Sequence, residues 1–327
     1  MVALTAGCFA LGSLRPGRGV RRDMATDWHD VPRGSHPLLL VNPRSGDEKV
    51  EKFGLLDACR SRGIDTVVLG PGDDLRSLAH TAVERGADVI GMAGGDGSLG
   101  VVAAVAAARG IPFICVPAGT RNHFALDLGL DRGDPVGALE AFGPAREGIV
   151  DLATVNGRMF VNNVSLGLYG SMVASDDYRG EKLKTAAETI QHRLGPDAAP
   201  YDLHVEAPNG PIDDPQVIEV SNNPYLLRSL TTFGTRARMD SGTLGVVTLR
   251  VGDTGDLEQL LAAERERRFK GFPGLDSWTA AQLEVRSSSP VPAGVDGESC
   301  LLTPPLRFQS QPSALRVRVP RTRTRAT

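Results

Sequence analysis

The sequence has few cysteines and aromatic residues, little net charge and no long apolar run. Its four cysteines lie far apart and form no Cys-x-x-Cys pair, so neither a disulfide framework nor a zinc site is expected, and a reducing, cytoplasmic location is predicted. The longest uninterrupted apolar run, residues 101–108, is far shorter than the roughly 20 residues that span a bilayer. With a formal charge of −3 and no basic stripe carrying aromatics, the chain is not a general nucleic-acid binder.

Glycine and proline, by contrast, are abundant, at 38 and 22 residues. They follow no repeat period and separate apolar runs, which indicates many turns rather than a collagen-like or disordered chain.

In the first 36 residues the arginines follow the apolar stretch, the wrong order for a secretion signal. We therefore expect residues 1–36 to be a disordered extension.

From residue 37 onward the pattern predicts an α/β domain. Short apolar runs at residues 38–41, 66–69, 89–93 and 111–116 predict strands buried on both faces. Between these strands, apolar residues recur at helical spacing over residues 75–85 and 98–109, and each of these segments ends at a glycine. Such alternation predicts a Rossmann-like parallel sheet with helices on both faces, over residues 37–149. Ligands bind beyond the carboxyl ends of such strands.

The second half is rich in short, turn-bounded strands, which predicts a β-sandwich over residues 150–312. Only residues 179–194 and 256–269 have a helical pattern. Strands are expected at the remaining β-rich segments, residues 150–155, 158–164, 201–206, 217–221, 245–251, 282–286 and 314–319. Residues 313–327 are assigned to a final strand and a basic tail.

A glycine-rich loop follows the third predicted strand and reads Gly94-Gly95-Asp96-Gly97-Ser98. Its glycines let backbone N–H groups approach a phosphate, and Ser98 could cap the helix whose positive end favours anions. The Asp96 carboxylate suits a Mg²⁺ ion carried by a nucleotide. The alternative is a tight strand–helix turn with a surface aspartate.

Short polar side chains follow two other strands of the predicted sheet. Asn42 ends the first strand, and Thr120 and Asn122 follow the fourth. Each type is common in turns, where it stabilises the backbone. Three such side chains at neighbouring strand ends favour the interpretation that they are ligands for phosphate or ribose.

Two carboxylates, Asp296 and Glu298, lie two residues apart in the second half. On a strand this spacing directs both side chains to one face. A carboxylate near a nucleotide γ-phosphate could take the proton of an attacking hydroxyl. The alternative is a hairpin turn with solvated acids.

These motifs, in this order, resemble the diacylglycerol kinase catalytic-domain family, the bacterial lipid kinases related to sphingosine kinases and, more distantly, to NAD kinases. The resemblance covers residues 38–320. Its matching segments are Asn42-Pro43-Arg44-Ser45-Gly46, Gly94 to Ser98, Pro117 to Asn122, Val150-Asp151-Leu152, Phe160-Val161-Asn162 with Gly167, Ser221-Asn222-Asn223-Pro224 and Asp296-Gly297-Glu298.

The resemblance implies a kinase that uses ATP and Mg²⁺. It places Glu298 as general base, with Asp96 and Asp296 supporting the reaction and the Mg²⁺ carried by ATP, and it makes Asp240 a candidate for an accessory metal site. The sequence departs from the family pattern in three places: Gly100-Val101 replaces an Asn-Glu pair, His123 replaces Asp, and Ser241 stands at a metal-binding Asp. The residues expected to bind nucleotide are Asn42, Pro43, Ser45, Gly46, Gly94, Gly95, Asp96, Gly97, Ser98, Gly119, Thr120 and Asn122.

The expected activity is transfer of the γ-phosphate to the hydroxyl of diacylglycerol or a similar lipid alcohol. An NAD kinase-like enzyme and a non-catalytic nucleotide- or lipid-binding regulator are the alternatives, and a homodimer is left open.

Peripheral contact with the anionic inner face of a membrane is expected from a group of arginines near the end of the chain. These are Arg316, Arg318, Arg321, Arg323 and Arg325. Four apolar residues, Leu226, Leu227, Leu230 and Phe233, could form either a lipid-entry lip or sandwich core.

Overall fold

The computed structural model describes residues 28–46, 48–168, 201–227, 235–252, 254–266 and 268–321. Within these ranges, no helix combines the length and apolar character that crossing a bilayer requires. The strands are β1 (His29–Val31), β2 (Pro37–Val41), β3 (Asp65–Val68), β4 (Val89–Gly94), β5 (Phe113–Pro117), β6 (Ala145–Val155), β7 (Arg158–Phe160), β8 (Asn163–Gly167), β9 (His204–Ala207), β10 (Gly210–Asp213), β11 (Val217–Asn222), β12 (Leu244–Leu249), β13 (Leu275–Ala280), β14 (Gln282–Arg286), β15 (Val291–Val295), β16 (Glu298–Leu302) and β17 (Leu306–Pro320).

The helices are shorter and lie mostly in the first half. They are α1 (Lys49–Lys52), α2 (Leu55–Ser61), α3 (Leu75–Glu84), α4 (Asp96–Arg109), α5 (His123–Asp127), α6 (Pro135–Ala138) and α7 (Thr254–Arg265), with 3₁₀ turns at Leu139–Phe142 and Phe269–Gly271.

A parallel sheet forms the first domain, with the order β3-β2-β4-β5. Along β2, Leu39 and Val41 enter one apolar cluster while Leu40 enters another, on the opposite face. Successive strand residues point to opposite faces, so a strand covered on both sides reads as a continuous apolar run. The predicted α/β domain is therefore confirmed.

Strand β17 joins the two halves of the molecule. Its last residues pair in parallel with β5, with Val317 opposite Phe113. Its first residues pair antiparallel with β14, and β6 runs antiparallel beside it with a register shift between Gln311 and Leu315. The larger sheet consequently extends from the first domain into the second.

The second domain is a β-sandwich, as predicted. Its smaller sheet is antiparallel and has the order β13-β12-β11-β8-β15-β16. The apolar core combines residues of this sheet, such as Leu166 and Ile218, with residues of the larger sheet, such as Val155 and Phe308. Two sheets packed through their inner faces define a sandwich.

Several expectations from the sequence need correction. Residues 29–31 are not part of a disordered extension, because they form β1 and pair antiparallel with β6. Strands β10, β13, β15 and β16 were not predicted; they are polar or contain glycine and proline, and pairing with neighbouring strands defines them. The helix predicted at residues 256–269 is α7, which ends at Arg265. Residues 1–27 and the helix predicted at 179–194 lie outside the described residues.

Candidate active site

Three loops meet at the carboxyl edge of the parallel sheet, and glycines allow their close approach. A Cβ on Gly46 would lie 2.2 Å from the Ala118 carbonyl oxygen, and one on Gly119 would lie 2.3 Å from the Cα of Gly95. No larger side chain fits at these contacts. The loops after β2, β4 and β5, which the sequence predicted to be neighbours, are therefore in direct contact.

The glycine-rich loop opens helix α4 earlier than predicted. Gly95 is the N-cap, with an extended backbone, and the helix begins at Asp96. Ser98 lies in the first turn and is not the cap. The free N–H groups of this turn and the positive end of a 14-residue helix favour a bound anion such as a phosphate.

Asp96 is buried where α4 meets α5. Its carboxylate oxygens accept hydrogen bonds from the backbone N–H groups of His123, at 2.9 Å, and Phe124, at 3.1 Å. These two bonds connect the glycine-rich loop to the segment after β5. Each carboxylate oxygen has a second lone pair, so Asp96 retains acceptor capacity for a cation.

The asparagines of the other two loops bond mainly within their own loops. The Asn42 Oδ1 accepts from the N–H of Arg44 at 3.1 Å. The Asn122 side chain accepts from the N–H of Gly119 at 3.1 Å and donates to its carbonyl at 2.6 Å. Both asparagines therefore shape the loops, the alternative that the sequence had left open. Thr120 is exposed, and Pro43 and Ser45 are partly exposed.

Asp296 and Gly297 form the turn of the β15–β16 hairpin. Their φ angles are +49° and +82°, and Val295 pairs with Glu298 across the turn, as in the Asp-Gly type I′ hairpin. The predicted placement of Asp296 and Glu298 on one strand face is therefore wrong. Asp296 is buried, whereas Glu298 is exposed.

The hairpin nevertheless brings Glu298 to the glycine-rich loop. A Cβ on Gly97 would lie 2.4 Å from the Glu298 Cγ and 2.6 Å from its Oε1. The exposed carboxylate therefore lies against the first turn of α4, where a phosphate is expected. About 200 residues of sequence separate the two groups.

Asp296 lies deeper and holds the junction between the domains. Its carboxylate accepts from the backbone N–H groups of Val161, Asn162 and Asn163 at 2.9, 2.7 and 3.2 Å. Burial raises the pKa of Asp296 to about 7, and the three N–H donors oppose this rise. Gly100 makes room for the carboxylate, because a Cβ there would lie 2.8 Å from its Oδ2. These contacts anchor the junction, and the predicted support of Mg²⁺ by Asp296 stays a prediction.

A buried ion pair that sequence reasoning missed lies beside this junction. The Arg236 Nε donates to the Asp127 Oδ2 at 2.7 Å, and both side chains are almost fully buried. Arg236 also donates to the carbonyls of Val161 and Asn222, at 2.6 and 2.8 Å, and to the Asn162 Oδ1 at 2.9 Å. The only sequence signal was the apolar surroundings of Asp127, which has Leu126 and Leu128 on either side, whereas Arg236 lies among polar residues.

Positive side chains surround the loop cluster, and Lys49 was also missed from the sequence. The Lys49 Nζ donates to the Gly119 carbonyl at 2.9 Å, and Arg132 donates to the Arg121 carbonyl at 2.9 Å. Burial lowers the pKa of His123, although the charges of Asp96 and Asp127 oppose this. A neutral His123 is consistent with that environment.

The accessory metal site expected at Asp240 receives no support. The Asp240 carboxylate accepts from the Arg238 Nε at 2.9 Å, and the Ser241 hydroxyl bonds the Asn223 Oδ1 at 2.5 Å. Across the described ranges, no group of three or more His, Cys, Asp or Glu side chains could hold a metal ion.

The arginines expected to contact a membrane are partly engaged elsewhere. Arg316 and Arg318 pair with the buried Glu147 at 2.6 and 2.8 Å, and Arg321 lies 3.5 Å from Asp30. Arg323 and Arg325 lie outside the described residues, as do Leu230 and Phe233 of the predicted apolar lip. Leu226 is described and is 47% exposed.

Comparison with known proteins confirms the family resemblance. Residues 36–155 match the sequence profile of the diacylglycerol kinase catalytic domain. A diacylglycerol kinase of Mycobacterium tuberculosis (strain CDC 1551 / Oshkosh) is 36% identical over 105 residues, covering 31% of this chain and 34% of that protein. The chain therefore matches about a third of the length of this relative.

Other similarities extend further along the chain. A protein of Pseudomonas aeruginosa (strain UCBPP-PA14) named "Probable lipid kinase YegS-like" is 28% identical over 292 residues, which cover 86% of this chain and 93% of that protein. A crystal structure of a diacylglycerol kinase from Bacillus anthracis str. Sterne superposes with a TM-score of 0.66 at 18% identity, covering 88% and 98% of the two chains. The structural similarity supports the two-domain fold.

Proposed function

With a diacylglycerol kinase catalytic domain in residues 36–155, this protein is, we propose, a lipid kinase that transfers the γ-phosphate of ATP to the hydroxyl of a lipid alcohol such as diacylglycerol. The observation that carries the proposal is the contact between Glu298 and Gly97, in the first turn of α4. It places an exposed carboxylate beside a helix end suited to phosphate.

The three loops supply the nucleotide site. The N–H groups of Gly97 and Ser98 in the first turn of α4 would bind phosphate oxygens, and the glycines at positions 46 and 119 allow the close approach of the loops. Lys49 and Arg121 would add positive charge at this edge. Because Asn42 and Asn122 bond within their loops, we assign them to loop shape rather than to direct nucleotide contact.

The residues present fit a Mg²⁺ ion that arrives with the nucleotide. Mg²⁺ is commonly bound by one or two carboxylates together with substrate phosphates and water, rather than by a cage of protein ligands. Asp96 is the carboxylate placed to hold it, since its oxygens retain lone pairs beside the helix end. When bound, the ion would neutralise phosphate charge.

Glu298 is the proposed general base. As the lipid hydroxyl oxygen attacks the γ-phosphorus, the carboxylate takes the hydroxyl proton, the bond to the β,γ-bridging oxygen breaks and ADP leaves. The products are a lipid phosphate monoester and ADP, with no phosphorylated enzyme. The hydrogen bonds that Asp96 accepts from α5 and that Asp296 accepts from the junction would hold the two sides of the site in register.

Access to the lipid would require contact with a membrane surface. Leu226, which is 47% exposed, and Leu227, which is partly exposed, are the described residues of the proposed lip. Because Arg316 and Arg318 are paired with Glu147, we assign less of this contact to the C-terminal arginines than their sequence clustering suggested.

Transfer from radiolabelled ATP to dioctanoylglycerol, to sphingosine and to NAD tests the proposal. Glu298→Gln is expected to lower kcat by about 10²-fold or more, as for loss of a general base, while the KM for ATP changes little. Asp96→Asn should abolish transfer. Glu284→Gln changes an equivalent carboxylate on β14, where it pairs with Arg286 and Arg307, and serves as the control.

The outcomes separate the alternatives. Transfer to NAD but to no lipid would favour an NAD kinase-like enzyme. Binding of ATP without transfer to any acceptor would favour a non-catalytic regulator. Wild-type kcat in the Glu298→Gln variant would remove Glu298 from the mechanism.

A further inference from the structure

The buried pair of Asp127 and Arg236 lies between the two sides of the proposed active site. Asp127 is the last residue of α5, the helix whose first two N–H groups donate to Asp96. Its carboxylate accepts from the backbone N–H and from the Nε of Arg236, at 3.1 and 2.7 Å. One end of the pair is therefore connected to the glycine-rich loop through a single short helix.

The other end of the pair holds a segment of the sandwich, residues 161–163. The Arg236 Nη1 donates to the Val161 carbonyl at 2.6 Å, and its Nη2 donates to the Asn162 Oδ1 at 2.9 Å. The N–H groups of the same three residues donate to Asp296. Arg236 and Asp296 therefore hold this segment through its acceptors and its donors, respectively.

Together these contacts form a closed contact ring around the site. From the first turn of α4 it runs through Asp96 to α5, through the ion pair to residues 161–163, and through Asp296 to the β15–β16 hairpin. The hairpin returns it to α4, because Glu298 lies against Gly97. Each link of such a ring, the ion pair included, constrains where the Glu298 carboxylate lies.

Folding stability gives little reason for a charged pair at this position. Arg236 is 0% exposed and Asp127 is 1% exposed, and the cost of taking two charges out of water is so large that apolar residues of similar volume are often as stable. The guanidinium supplies what an apolar side chain lacks, a planar set of donors in fixed directions. The aromatic ring of Tyr225, whose centroid is 5.5 Å from the Arg236 Cζ, packs against it.

We propose that Arg236 is a positioning residue for phosphate transfer, which holds the Glu298 carboxylate against the first turn of α4 through Asp127 and residues 161–163. The inference rests on the proposed lipid kinase function, in which Glu298 takes the proton of the attacking hydroxyl. Displacing a reacting group by about 1 Å can cost about 10²-fold in rate. Because it is fully buried, Arg236 acts through Glu298 rather than on the substrate.

The Asp127→Leu/Arg236→Met double variant tests this, because it breaks the contact ring without leaving a buried charge. Urea unfolding establishes that the variant is folded. With radiolabelled ATP and dioctanoylglycerol, kcat should be at least tenfold below that of the wild type. The KM for ATP should stay within threefold, because the three nucleotide loops are unchanged. Arg238→Met, which removes a surface partner of Asp240, is the matched control and should keep the wild-type kcat.

The same double change in a Glu298→Gln background separates positioning from general damage. If Arg236 acts through the Glu298 carboxylate, its loss matters little once that carboxylate is gone, so kcat should fall by less than a further twofold. An equal loss of kcat in both backgrounds would overturn the inference. So would an unchanged kcat in the double variant, or a raised KM for ATP at unchanged kcat.

Hydrogen exchange of the Val161, Asn162 and Asn163 amides follows the contact ring without turnover. In the double variant these amides should exchange at least threefold faster, because local opening becomes easier, while the amides of α3 exchange as in the wild type. Unchanged exchange at residues 161–163 would overturn the inference. A wild type that phosphorylates no acceptor would contradict the kinase function, and the exchange rates would still decide whether Arg236 holds this segment.

Discussion

Replacing Arg236 by methionine tests the buried ion pair at the domain junction. The change removes the 2.7 Å contact with Asp127 and the donations to Val161, Asn222 and Asn162. It leaves Asp127, which is 1% exposed, as an uncompensated buried charge. Breaking such a pair costs about 3–5 kcal/mol.

The expected loss of unfolding free energy corresponds to a lower urea concentration at the unfolding midpoint. A loss of about 4 kcal/mol is roughly a thousandfold in the unfolding equilibrium constant, and with a urea m-value of about 3 kcal/mol/M it lowers the midpoint by about 1.3 M. The Asp127→Leu/Arg236→Met double variant should recover most of this loss, because no buried charge remains. Recovery should be incomplete, since the Asn222 carbonyl still loses its Arg236 donor.

Urea unfolding followed by circular dichroism measures these differences in a double-mutant cycle. Arg238→Met is the control, because that arginine is 53% exposed and pairs with Asp240 at the surface, where a pair contributes at most about 1 kcal/mol. An Arg236→Met chain within about 1 kcal/mol of the wild type would refute the reasoning. A double variant whose loss of stability equals the sum of the two single-variant losses would also refute it.

Two further predictions concern the site and the buried Glu219 of β11. Gly97→Ala adds a Cβ 2.4 Å from the Glu298 Cγ, so it should displace the carboxylate and lower the rate of phosphate transfer at least tenfold. The stability of the protein should be kept or raised, because alanine has the higher helix propensity. An unchanged transfer rate would contradict the placement of Glu298. Because the folded-state pKa of Glu219 is raised from 4.5 to about 8, the stability that this carboxyl contributes is present below about pH 4.5 and is lost as the pH rises towards 8. The urea midpoint of Glu219→Gln should therefore fall less than that of the wild type between about pH 5 and pH 8, and equal falls would contradict the shift.

The nucleotide half was largely predictable because its signals are local. Leu39, Leu40 and Val41 are apolar in sequence because both faces of their strand are covered. The glycine at position 119 is a further local signal, since a Cβ there would lie 2.3 Å from the Cα of Gly95. Which residue begins the helix was not predictable: Ser98 has a suitable side chain for a cap, but Gly95 occupies that position.

The roles of individual polar residues were less predictable. Asn42 and Asn122 have the same side chain whether they bind a ligand or close a turn, and the structure shows the turn contacts. The Arg316–Glu147 and Arg318–Glu147 pairs depend on the alignment of β17 with β6. In the sequence, the same arginines had formed part of a predicted membrane-binding cluster.

The sequence by itself determined the alternation of strands and helices, the three loops and the family resemblance, because these depend on residue patterns a few positions long. The tertiary structure alone decided that Glu298 lies against Gly97, that Asp296 is anchored by the N–H groups of the domain junction, and that Asp127 pairs with Arg236. Each of these contacts joins residues about 100 or more positions apart, and only the packing of the sandwich against the parallel sheet brings them together. The small net charge and the absence of long apolar runs excluded whole classes of protein, whereas burial and pairing assigned roles to individual charges such as Asp127, Arg236 and Asp296.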